Sequence, residues 1–412
     1  MLYNAYEMQR SMLAGASALA NFSAGWLNNP ANPFHYFGGG PVLSSALEVF
    51  AHAAAPRGKP AFGLHHTVVD GREVAVTEDI VLKKPFGQLK RFVRTDETGN
   101  VIGGPKLLIV APMSGHYATL LRGTVERMLP AHDVYITDWR DAKQVPLSDG
   151  SFDLDDYVDY IIEFLETIGA TGDRRPHMLA VCQPSVPCYA AAAVMSADRH
   201  PNRPATLTMM GGPIDTREAP TAVNTLATER PHSWFAQNVI ATIPMSYAGA
   251  GRRVYPGFLQ LAGFMTMNLG SHMNSHYELF KHLVAGDGES ADATKDFYDE
   301  YRAVCDMTAE FYLQTIHTVF QDHSLPKGTM EHRGRIVDPA AITDIGLLAI
   351  EGERDDISGL GQTKAALTIA TKLPAAHKKY HMAPSVGHYG IFNGSKWRDR
   401  IAPVVEEWIA SH

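Results

Sequence analysis

Between Leu107 and Met210, short apolar runs alternate with amphipathic helical segments, and no other feature of the chain limits its fold so strongly. Leu107-Leu108-Ile109-Val110 reads as a buried strand, followed by a helix carrying Leu120, Leu121, Val125 and Met128. Val134-Tyr135-Ile136 is the next strand. Asp153 then stands as the N-cap of a helix with Asp155 and Asp156 in its first turn and Gly169 as its stop. The core stripe of that helix is Leu154, Tyr157, Val158, Ile161, Leu165 and Ile168. A strand ending at Cys182, an alanine-rich helix and the run Thr206 to Met210 complete the series. Strands and helices in this alternation give a mostly parallel sheet with helices on both faces.

The rest of the chain is arranged around that unit. Residues 1–60 read as a helical N-terminal extension, with Leu19, Phe22 and Trp26 forming one apolar stripe. Asn29 to Pro33 and Gly38-Gly39-Gly40-Pro41 break it, and Phe34, Tyr36 and Phe37 between the breaks are expected to pack on the main domain. Asp70-Gly71 between two short β-prone runs signals a hairpin, and Leu89 to Arg94 is a further strand. After Gly211-Gly212-Pro213 the alternation stops. Residues 213–340 carry aromatic and Met-rich helical pieces and read as an inserted cap. The parallel pattern resumes at Gly346 to Ile350, with a last strand at Tyr380-His381-Met382 and a closing helix from Ser395. The expected fold is an α/β-hydrolase fold: extension 1–60, core 61–212, cap 213–340, core 341–412.

Composition narrows the functions. The 412 residues are 45% hydrophobic and carry a net charge of −8, without a long basic run. A nucleic-acid groove needs clustered Lys and Arg, so none is expected. Arg252-Arg253 reads as a solvated loop. Three widely spaced cysteines form neither a disulfide framework nor a zinc site, so no metal or cofactor is expected and a reducing compartment follows. No signal peptide is evident, and nowhere is an apolar run long enough to span a membrane.

The chemistry centres on His177-Met178-Leu179-Ala180-Val181-Cys182-Gln183-Pro184-Ser185. An apolar strand ends at a cysteine and a helix begins at once, which is how a nucleophile is presented at a strand-to-helix turn. Ala180 and Pro184 stand where the serine version of the motif has glycines. Proline is tolerated in a first helical turn because its missing N–H would be unpaired there. Cys188 and Cys305 lack this context and read as core residues. An acid and a histidine follow in hydrolase order: Asp355 or its neighbour Asp356, then His388 in a glycine-flanked loop. His388 would act as general base and then general acid, and the carboxylate would hold its tautomer. An oxyanion hole needs two N–H donors, expected from Gln183 and from Ser114 in the Pro112–His116 loop. Met113, His116 and the cap aromatics Trp234 and Phe235 are the candidate substrate contacts, and His116 reads equally well as a capping residue.

At this point the chain resembles a known family. Ala180-Val181-Cys182-Gln183-Pro184, Met210-Gly211-Gly212-Pro213-Ile214-Asp215, Gly352-Glu353-Arg354-Asp355-Asp356-Ile357 and Gly387-His388-Tyr389-Gly390-Ile391-Phe392 closely resemble intracellular polyhydroxybutyrate depolymerases. The N-terminal Met1-Leu2-Tyr3 and the stretch Arg252 to Gln260 are similar as well. The resemblance implies a cytoplasmic esterase that cuts short-chain polyhydroxyalkanoate in native amorphous granules. Its Cys-Asp-His triad maps onto Cys182, Asp355 and His388, and so favours Asp355 over Asp356. The implied reaction is thiolate attack on the polymer ester and hydrolysis of the resulting thioester. The polymer is the expected partner, and homo-oligomerisation is left open. Two other readings stand beside it: an acyltransferase like the related polyhydroxyalkanoate synthases, and a non-catalytic granule-coating protein.

Overall fold

The computed structural model describes residues 2–33, 40–172, 174–267 and 269–412. Phe34, Tyr36 and Phe37, expected to pack on the main domain, lie outside the described residues.

Its centre is a nine-stranded sheet among the described residues. In chain order the strands are β1 (His66–Val69), β2 (Arg72–Lys83), β3 (Gly87–Thr95), β4 (Lys106–Val110), β5 (Asp133–Trp139), β6 (His177–Val181), β7 (Thr206–Met210), β8 (Gly346–Gly352) and β9 (Lys378–Ala383). Their order across the sheet is β1-β2-β3-β5-β4-β6-β7-β8-β9, antiparallel as far as the β3–β5 pair and parallel from there on. This topology is that of the α/β-hydrolase fold: an antiparallel lead-in, one exchange of neighbours at β4 and β5, then parallel strands to the far edge. Strands β5, β6, β7 and β8 are buried along their whole length, as strands covered on both faces must be. The Asp70-Gly71 turn joins β1 to β2 with positive φ at both residues, the geometry a two-residue hairpin loop favours.

The helix over Leu154–Ile168 begins as its sequence requires. Asp153 accepts the Asp156 N–H and the Asp156 side chain accepts the Asp153 N–H, a reciprocal cap. Gly169 ends it at φ 63°.

Between β7 and β8 the chain forms the roof. It is mostly helical, and it also holds a small antiparallel sheet of Ala241–Thr242, Arg253–Tyr255 and Met307–Thr308 that the helical expectation lacks. Arg252 beside it is buried rather than solvated. Its guanidinium donates to the carbonyls of Val145, Pro146 and Gly150, and it lies over the Phe86 ring. Three carbonyl acceptors replace the water an arginine would otherwise keep.

Helices α1 (Leu2–Asn28) and α2 (Gly40–Ala54) pair along small residues: Ser17, Ala20 and Ala24 are buried, Ser17 donates to the Ala51 carbonyl and Ser44 to the Ala24 carbonyl. The Leu19-Phe22-Trp26 stripe faces outward instead, with exposures of 67, 73 and 52%. Close approach of the two backbones needs small side chains on the inner face, so the large ones are left outside. No helix among the described residues is long and apolar enough to cross a membrane.

Candidate active site

Only Cys182-Gln183-Pro184 separate the end of β6 from the helix over Ser185–Ala197. The turn is sharp enough to hold Cys182 at φ 66°, a left-handed conformation that costs about 1–2 kcal/mol for a residue with a side chain. The Cys182 N–H is fixed on the Met210 carbonyl (2.7 Å), and its carbonyl accepts the Ser185 N–H (3.0 Å). The thiol is half-buried, whereas Cys188 and Cys305 are fully buried, and burial pushes both of those thiols well above the ordinary range.

Two glycines after β7 make the crowding around this turn possible. A Cβ on Gly212 would meet the Ser185 side chain and the Cys182 carbonyl, so the first turn of the helix could not approach. Gly211 sits at φ 59°, and a Cβ there would lie within 3.2 Å of Asp355 Oδ2, His388 Cε1 and Ile391 Cδ1.

The loops after β8 and β9 deliver the other two groups. Asp355 Oδ1 accepts the Ile357 and Ser358 N–H groups (2.9 and 2.8 Å), while Oδ2 is 2.8 Å from His388 Nδ1. The carboxylate is fully buried and the imidazole 5% exposed. With Nδ1 committed to Asp355, the other ring nitrogen of His388 is left for chemistry, and Cys182 lies close enough to act on the ring electrostatically. Burial opposes charge on His388. Cys182 and Asp355 beside it outweigh that burial, and the imidazole is held well above its usual range. Asp356, the rival acid in the sequence, is exposed.

A second carboxylate steadies the acid loop. Glu351, fully buried in β8, accepts the N–H groups of Gly361, Thr363 and Lys364 and the Tyr380 hydroxyl. Its role escapes sequence reasoning because its partners come from a loop ten residues on and from β9.

The expected oxyanion donors are placed unequally. Among the described residues the Gln183 N–H has no protein acceptor, as a free donor should. In the facing loop the Met113 N–H, next to the expected Ser114, points to the elbow and donates to Gln183 Oε1 at 3.3 Å. Ala111, before it, is anchored by its carbonyl, which accepts Trp139 Nε1 and the Tyr157 hydroxyl.

His116 is buried. Its Nε2 bonds the Tyr301 carbonyl at 3.0 Å, its ring lies against Phe264 and Tyr301, and burial drives its pKa down to about 4. It ties the loop to the roof and is not a free substrate contact. Trp234 lies under Arg230, and Phe235 is buried against Trp234 and Tyr312, so both are engaged inside the cap. Met113 is buried and reaches the elbow through its backbone.

One tyrosine that the motif reading did not single out lies against the histidine. Tyr389, next to His388, packs edge-on to Tyr301 at the end of a roof helix, their rings 5.5 Å apart. Phe392 packs edge-on to the His388 ring.

The family described as PHB de-polymerase C-terminus matches residues 211–412, which hold both Asp355 and His388. The chain is 24% identical over 312 residues to the poly(3-hydroxyalkanoate) polymerase subunit PhaC of Haloarcula marismortui, covering 74% of this chain and 60% of that protein. Among solved structures it is similar to 2-hydroxy-6-oxo-6-phenylhexa-2,4-dienoate hydrolase from Rhodococcus sp. strain RHA1, with 13% identity, a TM-score of 0.44, and coverage of 82% of this chain and 99% of that one. A thermophilic esterase from Thermogutta terrifontis gives 14% identity, a TM-score of 0.42, and coverage of 82 and 98%.

Proposed function

We propose that the chain hydrolyses the ester bonds of poly(3-hydroxybutyrate) in amorphous granules, with Cys182 as nucleophile. The observation that carries this reading is the strained Cys182 elbow beside a His388 that is itself held by buried Asp355. The Cys182 thiolate attacks the ester carbonyl, and the charge that develops on its oxygen falls to the Gln183 and Met113 N–H groups. Gln183 Oε1 occupies the Met113 donor in the free protein and must swing away as the oxyanion forms. His388 gives its proton to the departing alkoxide, leaving a 3-hydroxyacyl thioester. Neutral His388 then takes a proton from water, the hydroxide adds to the thioester, and the acid leaves as the thiolate returns. Asp355 stabilises the charged ring in both halves.

The likeness to a polymerase subunit favours one second reading, transfer of the acyl group to a growing chain. One experiment separates them. Purified protein given amorphous poly(3-hydroxybutyrate) should clear the suspension and release 3-hydroxybutyrate or short oligomers. CoA release from 3-hydroxybutyryl-CoA with polymer growth, and no net clearing, would replace hydrolysis by synthesis.

Adsorption to the granule is assigned to the outer face of α1. Beyond Leu19, Phe22 and Trp26, Met8 and Met12 are also exposed, and the helix has one acid and one base, Glu7 and Arg10, 3.6 Å apart. A neutral apolar face suits a polyester surface better than a charged one. Leu19→Ser with Phe22→Ser should weaken granule binding about tenfold or more, since each side chain can bury about 1.5–3 kcal/mol. Cleavage of a soluble ester should be unchanged. Equal loss of both activities would mean that the face serves folding.

A further inference from the structure

A cavity of about 300 Å³ lies between α1 and the roof, away from Cys182. One wall is apolar, formed by Leu13, Phe258, Leu261 and Met265. The basic groups at its edge are mostly spent: Arg10 pairs with Glu7, Lys143 with Asp141, and Arg57 with Asp299. Asp306, also on the lining, is taken up by the Tyr3 hydroxyl and the Gly257 N–H. Arg302 is the exception. Among the described residues its guanidinium has no ion-pair or hydrogen-bond partner, although it is half-buried and lines the cavity. It does not donate to the carbonyls at the end of its own helix; burial and Arg57 work against its charge, and Asp299 only partly offsets them. An arginine facing an apolar-walled cavity without a bonded anion is placed to take one.

We propose that this cavity is a second, non-catalytic site for a short-chain 3-hydroxycarboxylate, the product class of the proposed reaction. The carboxylate takes the two-pronged face of Arg302, and the aliphatic remainder lies on the Leu13–Met265 wall. The volume admits a monomer or a short oligomer and is too small for a nucleotide-bearing thioester. Arg302 directly follows Tyr301, whose ring packs edge-on against Tyr389 beside His388 and whose carbonyl holds His116. Occupancy is therefore felt at the catalytic imidazole through one residue of roof, and product restrains the roof while it stays bound.

The inference takes its ligand from the hydrolase reading, so the binding test is run on Cys182→Ala protein, which needs no turnover. Calorimetric titration with 3-hydroxybutyrate should show one site, weakened at least about tenfold by Arg302→Leu and largely kept by Arg302→Lys. Acetate, butyrate and inorganic phosphate are the comparison ligands. Butyrate should bind more tightly than acetate, and phosphate should compete poorly. In the wild type, added 3-hydroxybutyrate should lower kcat for a soluble ester with KM little changed, and Arg302→Leu should lift that inhibition at unaltered basal rate. Binding indifferent to Arg302→Leu, or equal for acetate, butyrate and phosphate, overturns the proposal and leaves the hydrolase reading intact. Should Arg302→Leu not fold, the chain-length series on the parent protein decides alone.

Discussion

Cys182→Ala is expected to lower ester cleavage about a million-fold, the scale on which a covalent nucleophile's loss is felt. No other thiol can substitute, because Cys188 and Cys305 are sealed in the core. Iodoacetamide should accordingly modify one cysteine in the native protein and three after denaturation, and the single native adduct should block clearing of granules. The fold should survive, since the turn is fixed by backbone bonds to Met210 and Ser185 that alanine keeps. The strain at this position makes a second outcome measurable. With φ at 66°, glycine is at ease where alanine is not, so Cys182→Gly should be more stable than Cys182→Ala by about 1 kcal/mol. Denaturant midpoints of the two inactive variants test it. Residual turnover by either variant near the wild-type rate would remove Cys182 from the reaction, and a Gly variant no more stable than Ala would mean the turn relaxes without its side chain.

Asp355→Asn carries the next largest expectation, a fall in kcat of about three to four orders of magnitude. Asparagine can keep the Ile357 and Ser358 bonds through its carbonyl oxygen, so the loop should hold. Its amide then donates to His388 Nδ1, which forces the proton onto the other ring nitrogen and leaves it unable to accept from the thiol. Asp356→Asn is the matched control. Asp356 is exposed, and its effect should stay within about twofold. Single-turnover rates on a soluble ester measure both. A larger loss at Asp356 than at Asp355 would exchange their roles.

Legibility in the sequence followed the range of the physics. The Asp153 cap, the Gly169 stop and the Asp70-Gly71 hairpin are decided within a few residues, and they read off directly. The parallel sheet was legible because each strand and helix announces itself and the handedness of crossovers leaves few arrangements. The order of Cys182, Asp355 and His388 is visible too, and the His388 ring does bond Asp355. What did not read off depends on distant partners. Which face of α1 is buried depends on small residues of α2, so Leu19, Phe22 and Trp26 face water. Arg252 looks solvated until three carbonyls from residues 145–150 surround it. The Met113 N–H bonds Gln183 Oε1, a contact no spacing rule contains. His116 gives no local sign that its partner is the Tyr301 carbonyl.

The pairing of α1 with α2 has a consequence for how the protein meets an insoluble substrate. Its seam of serines and alanines is held by backbone proximity and two hydroxyl bonds, and owes little to the expulsion of water. Helix pairs in lipid are joined in the same way. The strength of such a seam hardly changes with the medium outside it, so the hairpin can pass from water to an oily boundary without rearranging. It would arrive at the boundary as a finished plate, and the ordering cost that a disordered anchor must meet on contact would already have been met during folding.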